Sequence, residues 1–280
     1  MEFSAFSKLK KISKPEIMGR ELWQQLYIRN PDFGGIICGF FGLQGSGKTS
    51  LMLRLAKQIL EQNPDETIFW REPWNVPLQA ERIDVPLNIF SERKLHVEIK
   101  ELTKDGTVAT DDLSVRYFTR PSELMKYVTP GAINVIYFDH RKSWLRLMAK
   151  MKQNLSYQSF FIDEIEDILP SRCSGKDWHL NETFCSTVKE LRKSRISLYY
   201  CTQNEFDLDF RIKGKTMATC YLFGSRKDEH SPMFRWALQN IKRGKGWLVA
   251  GNSLFGRIVF KPVLPKEKSY IAVPKRRTDT

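Results

Sequence analysis

The sequence has no uninterrupted apolar run of about 18 residues, so nothing in it predicts a membrane-spanning helix. Its start, Met1 to Lys14, is basic but lacks the apolar stretch of a secretory leader, and no export is expected. Cysteines number only five, too few and too scattered for a disulfide framework, which points to a reducing setting. The four histidines are isolated, and Cys173 and Cys185, which flank Trp178 and His179, fit no metal-ligand spacing, so a zinc site is not expected. There are no repeats and no low-complexity segment. Acidic charge is also in short supply: 32 Asp and Glu stand against 45 Lys and Arg, a formal net charge of +13. An excess of that size favours a polyanionic partner, nucleic acid before a membrane surface.

What is present alternates between strand-like and helix-like patterns. Ile36 to Phe41 reads as a buried parallel strand, and residues 48–61 carry helical spacing at Leu51, Leu55, Ile59 and Leu60. Further strands are expected at Thr67–Trp70, Ile133–Phe138, Ser159–Asp163, Ile196–Thr202 and Ala218–Phe223, with helices near 121–128, 142–152 and 181–194. Residues 246–263 read as a β hairpin. This order predicts an α/β fold with a mainly parallel central sheet flanked by helices. Residues 1–33 look like a helical extension, with Ser13 and Pro15 opening a helix to about Tyr27. A core domain then covers 34–265, interrupted by a small β-containing insertion at about 73–130, where Leu95, Val97 and Ile99 alternate before the turn Lys104-Asp105-Gly106. Residues 266–280 form a basic tail, in which Lys275-Arg276-Arg277 is expected to hang free as a phosphate-seeking arm. Trp70, Trp74, Trp144 and Trp236 are expected in the core or an interface.

Between the first strand and the first helix lies Gly42-Leu43-Gln44-Gly45-Ser46-Gly47-Lys48-Thr49, a complete G-x-x-x-x-G-K-[ST] loop in the required context. Its glycines let backbone N–H groups approach phosphates, and the following helix adds partial positive charge. Gly42, Gln44, Gly45, Ser46, Gly47, Lys48, Thr49 and Ser50 are therefore candidate nucleotide ligands. Lys48 is placed for the β and γ phosphates of ATP, and Thr49 for Mg2+. A second signal is Phe160-Phe161-Ile162-Asp163-Glu164, an apolar strand ending in two acids. Asp163 would hold Mg2+, directly or through water, and Glu164 would polarise an attacking water. Glu166 and Asp167, just beyond, read as a solvated helix start. A third is Gln203, at the carboxyl end of Ile196–Thr202, where a ligand would sit in an open α/β sheet. Its amide could sense the γ-phosphate, or it could be a turn residue. Arg192 and Arg195 compete with Arg172 and Arg211 as the arginine that meets transition-state charge, supplied by a neighbouring subunit, and each also reads as a surface or DNA contact.

With these signals in order, the chain resembles the FtsK/HerA branch of the P-loop NTPases, on Lys189-Glu190-Leu191-Arg192-Lys193, the strand ending Thr202-Gln203, and Asp207 to Ile212 before a further strand. The likeness spans roughly 34–225 and extends to viral genome-packaging and plasmid DNA-pumping ATPases. It implies a RecA-like P-loop core, ATP and Mg2+ as cofactors, and a homo-hexamer that moves double-stranded DNA by its phosphate backbone. It also implies capsid or packaging proteins as partners, and a location in host cytoplasm or with the virion. Three other readings compete: a Zot-like phage-assembly ATPase, disfavoured by the want of a membrane-spanning helix; a small-molecule phosphotransferase, disfavoured by Glu164; and a nucleotide-gated binding module.

Overall fold

The computed structural model describes residues 34–71, 80, 83–103, 106–152, 156–225, 241–250, 254–261 and 270–276. The helix expected over residues 15–27 lies outside them, as do Trp74 and Trp236.

A ten-stranded sheet organises the chain. Its strands, in sequence order, are β1 (Ile37–Phe41), β2 (Thr67–Arg71), β3 (Leu87–Ser91), β6 (Arg116–Tyr117), β7 (Ile133–Tyr137), β8 (Gln158–Ile162), β9 (Ile196–Thr202), β10 (Ala218–Leu222), β11 (Lys245–Ala250) and β12 (Leu254–Val259). In space they run β12-β11-β10-β1-β9-β8-β2-β7-β3-β6. All neighbours from β10 to β6 pair in parallel, and β11 and β12 close one edge as the expected antiparallel hairpin. Every residue of β1, β8 and β9 is buried, as the apolar stretches Ile36–Phe41 and Phe160–Ile162 led one to expect, and the polar Gln158, Ser159 and Ser197 are buried with them.

The two faces carry different side chains of the same strands. Trp70, Phe161 and Tyr199 stand in register on β2, β8 and β9 and stack with centroids 4.8 and 4.7 Å apart. Over that face lies α1 (Lys48–Gln62), through Leu51, Met52, Leu55 and Ile59. Phe69 and Phe160 stack at 4.8 Å on the opposite face, against α3 (Arg141–Met151) and α4 (Lys176–Leu191). Two helices of four residues each are α2 (Pro121–Leu124), within the expected 121–128, and α5 (Phe210–Lys213). Trp70 and Trp144 are core residues, as expected.

Two expectations change. Within 73–130, β3 and β6 take their own places in the main sheet beyond β7, while the hairpin β4 (Leu95–Thr103) with β5 (Gly106–Leu113) stands apart. That hairpin gains a third strand, β13 (Tyr270–Arg276), antiparallel to β4. Lys275 and Arg276 therefore pair with His96 and Leu95 rather than hanging free. Tyr270-Ile271-Ala272-Val273 had the β-branched and aromatic composition of a strand, and Pro274 suits an edge position.

Candidate nucleotide-binding site

Parallel strands deliver their carboxyl ends to one rim, and the candidate residues collect there. Phe41 of β1 pairs with Thr202 of β9, so Gln203 comes level with Gly42, the first residue of the glycine-rich loop. On the other side of β9, Ile162 pairs with Tyr200, so Asp163 comes level with Cys201. The strand carrying Gln203 thus lies between the loop strand and the acidic strand.

The loop conformation depends on two glycines with left-handed backbone. Gly45, at φ +73°, faces open space: a Cβ there would meet nothing within 4 Å. Gly47, at φ +95°, precedes α1, and a Cβ on it would come within 2.7 Å of the Phe260 ring. Lys48, although charged, is buried, and its Nζ donates to the carbonyls of Gly42 at 2.7 Å and Leu43 at 3.2 Å. These bonds hold the ammonium inside the curl of the loop. Ser46 is also buried, and its Oγ has no hydrogen-bond partner among the described residues. A buried hydroxyl without a partner costs stability, and in a phosphate loop it is a donor waiting for an acceptor. Gln44 is exposed on the loop crest, and Ser50 is buried beneath it in α1.

Asp163 is almost fully buried and is surrounded by donors. Thr49 Oγ1 donates to its Oδ2 at 2.7 Å, the backbone N–H of Glu164 to its Oδ1 at 3.1 Å, and the Cys201 thiol to its Oδ1. Burial, and then the Asp163 charge, push the Cys201 thiol well above its ordinary pKa, so it stays protonated and remains a donor. The Thr49 and Asp163 oxygens lie at about the spacing of adjacent ligands around one Mg2+ ion. With Lys48, the orphaned Ser46 hydroxyl and the open side of Gly45, this donor set fits a magnesium nucleotide.

Glu164 is half-buried and adopts φ 51°, ψ 58°, a left-handed conformation that costs a non-glycine residue roughly 1–2 kcal/mol. A residue absent from the sequence-based candidates spans this turn. Arg71, the last residue of β2, donates through Nη1 to the carbonyls of Asp163 at 2.5 Å and Glu164 at 3.3 Å, and through Nη2 to Asp167 at 2.9 Å. Its only sequence signal was a cation placed directly after the apolar run Ile68-Phe69-Trp70.

The reading of Glu166 as solvated is overturned. A 3-10 turn does begin here (Ile165–Asp167), but Glu166 folds back: its Oε1 accepts from the Gln203 N–H at 3.3 Å, and its Oε2 is buried. Desolvation, with a smaller contribution from Glu164, raises its pKa. Gln203 itself is exposed beyond the buried Thr202 and is tied to the acidic turn through its backbone.

The arginines are placed elsewhere. Arg195 lies just before β9, seven residues and roughly 23 Å from the rim that carries Gln203. There it is exposed at φ 61°, its guanidinium over the Tyr157 ring. Arg192 opens the 3-10 turn at the same end of β9. Neither is brought to Lys48 and Glu164 of its own chain. Arg211 is occupied by a two-pronged bond to Asp209, whose other partner, Asn181, is fully buried and also holds the Pro170 carbonyl. Arg172 is exposed. Among the described residues no cluster of His, Cys, Asp and Glu suits a metal ion, all the cysteines are free, and no helix is long and apolar enough to cross a membrane.

No family model and no curated protein matches the sequence. Solved structures share its fold. Genome packaging NTPase B204 of Sulfolobus turreted icosahedral virus 2, with sulfate, is similar at TM-score 0.54 and 16% identity over 84% of this chain and 99% of that one. The same enzyme with ATPγS gives 0.50 and 14% over 82% and 98%. VirB4 of Thermoanaerobacter pseudethanolicus gives 0.52 and 12% over 84% and 92%. The chain therefore shares its fold with a viral genome packaging NTPase and with VirB4, as the sequence resemblance led one to expect.

Proposed function

We propose that this chain hydrolyses ATP with Mg2+ and spends the energy on moving double-stranded DNA through a homo-hexameric ring, packaging or pumping the genome of a virus or mobile element in the host cytoplasm. The observation that carries the hydrolytic part is the convergence of Lys48, Thr49, Asp163 and Glu164 on one rim of the sheet. Thr49 and Asp163 would hold the metal, whose charge offsets that of the phosphates. Lys48 would exchange its loop carbonyls for the β and γ phosphates, and the Ser46 hydroxyl would gain the acceptor it lacks. Glu164 would orient a water and take up its proton as the water oxygen bonds to the γ phosphorus and the bond to ADP breaks.

DNA as the substrate of movement is supported by the net charge of +13 and by the fold shared with a genome packaging NTPase. Binding through phosphates would be largely sequence-independent and would weaken steeply with salt. Capsid or packaging proteins would be the further partners. ATP turnover measured with and without duplex DNA, in wild type and Glu164→Gln, tests the proposal. Strong stimulation by DNA, abolished by the substitution, is expected. Turnover indifferent to DNA would sink the translocase reading, and turnover indifferent to Glu164→Gln would sink the hydrolytic one.

A further inference from the structure

We infer that Arg71 is a positioning residue for hydrolysis: by bonding both carbonyls of the Asp163–Glu164 turn it holds the left-handed backbone that aims the Glu164 carboxylate. The inference rests on the proposed ATPase reading.

Glu164 has a problem that its neighbours do not share. It follows a fully buried strand, it must point a carboxylate into the rim, and it does so at φ 51° without being glycine. Such a conformation persists only where surrounding contacts over-determine it. The Glu164 N–H is fixed by Asp163 Oδ1 on one side of the turn. On the other side the carbonyls of residues 163 and 164 both point at a single nitrogen of Arg71.

The register explains why Arg71 can do this. It pairs with Ile162 across β2 and β8, so its side chain leaves the sheet at the level where the acidic turn begins. Asp167 then anchors the second nitrogen of the guanidinium at 2.9 Å, from the far side of the 3-10 turn. A planar, multi-donor fork meets three acceptors at once, which a lysine ammonium on its flexible stem does not reproduce. The Arg71 guanidinium bonds Asp163, Glu164 and Asp167 and makes no hydrogen bond to Thr49 or Lys48, so its influence should fall on the chemical step and spare nucleotide binding.

The test is steady-state ATP turnover of the full chain for Arg71→Met, Arg71→Lys and Asp167→Asn, each also combined with Glu164→Gln. Assays run below the melting temperature of every variant, and binding of a fluorescent ATP analogue is measured in parallel. Misplacing a catalytic group by about 1 Å costs on the order of 100-fold. Arg71→Met should therefore lower kcat by about 10- to 100-fold, with KM and analogue binding within about threefold of wild type. Arg71→Lys should recover part of the loss, and Asp167→Asn should lose only severalfold. In the Glu164→Gln background Arg71→Met should change the residual turnover little, because the group it positions is gone. Losses that multiply in the double variant would overturn the inference, as would wild-type kcat in Arg71→Met, or a loss residing wholly in analogue binding. A wild-type chain without turnover, or one unaffected by Glu164→Gln, would instead remove the ATPase reading itself and the inference with it.

Discussion

The two ends of β9 invite comparison, because the same strand carries Gln203 at one and Arg195 at the other. At the carboxyl end the neighbouring strands stop together: Lys48 sits inside its loop, Thr49 bonds Asp163, and the Arg71 fork holds the carbonyls of the two acids. At the amino end the exposed Arg195 rests on Tyr157, while its carbonyl accepts from Gln158 of β8. Polar side chains meet at the amino end too, as where Ser159 donates to Glu66, but the glycine-rich loop and the two acids both follow carboxyl ends of strands. Parallel pairing, rather than composition, decides where chemistry collects. An arginine at the amino end can serve a site only if that site belongs to another subunit.

The sharpest way to break this comparison is to remove charge at each end. Glu164→Gln or Lys48→Ala should reduce ATP turnover by roughly 10²–10⁴-fold, the range lost with a general base or its phosphate partner. Arg195→Ala, assayed at dilutions where the chain is monomeric, should leave basal turnover within about twofold. A large loss there would show that the far end reaches its own site. Next in size comes Gly47→Ala, which forces a side chain into left-handed backbone and onto Phe260. It should cost about 2 kcal/mol in denaturant unfolding and weaken ATP binding, while alanine at Gly45 meets no neighbour and should cost about 1 kcal/mol through backbone strain alone.

A subtler difference concerns protons. Burial raises the pKa of Glu166, so the folded chain holds its proton at pH values where the unfolded chain has released it. Stability should therefore fall as pH rises from the ordinary carboxylate range through the raised value. Glu166→Gln should be more stable than wild type at neutral pH, and melting curves of the two should approach one another on acidification. The smallest effect belongs to Arg195→Gly. Glycine relieves the φ of 61° but loosens the unfolded chain, so the net change should lie between zero and about 1 kcal/mol of stabilisation.

The glycine-rich loop and the Asp163-Glu164 pair were legible because each is a local pattern: glycines at fixed spacing, or an apolar run ending in acids. The alternation of strands and helices gave the fold class for the same reason. The places of β2 beside β8 and of β10 beside β1 were not legible, since parallel strands pair across long crossovers with no signal in either strand. Arg71 was invisible for that reason: its role exists only once β2 lies beside β8. Glu166 was misread because the N–H it accepts from belongs to Gln203, 37 positions away in sequence. The prolines around β3 hid a strand whose partners, β7 and β6, come later in the chain.

The small sheet carries a consequence of another kind. β4 and β5 form from adjacent residues, but β13, the strand that covers the open edge of β4, begins only at Tyr270. A ribosome must therefore synthesise all ten strands of the main sheet before that edge is covered. During the interval β4 offers a row of unsatisfied amides and carbonyls to any strand that passes. Slow translation between Thr103 and Tyr270 would lengthen that exposure, and the yield of folded protein should track how quickly the ribosome crosses it.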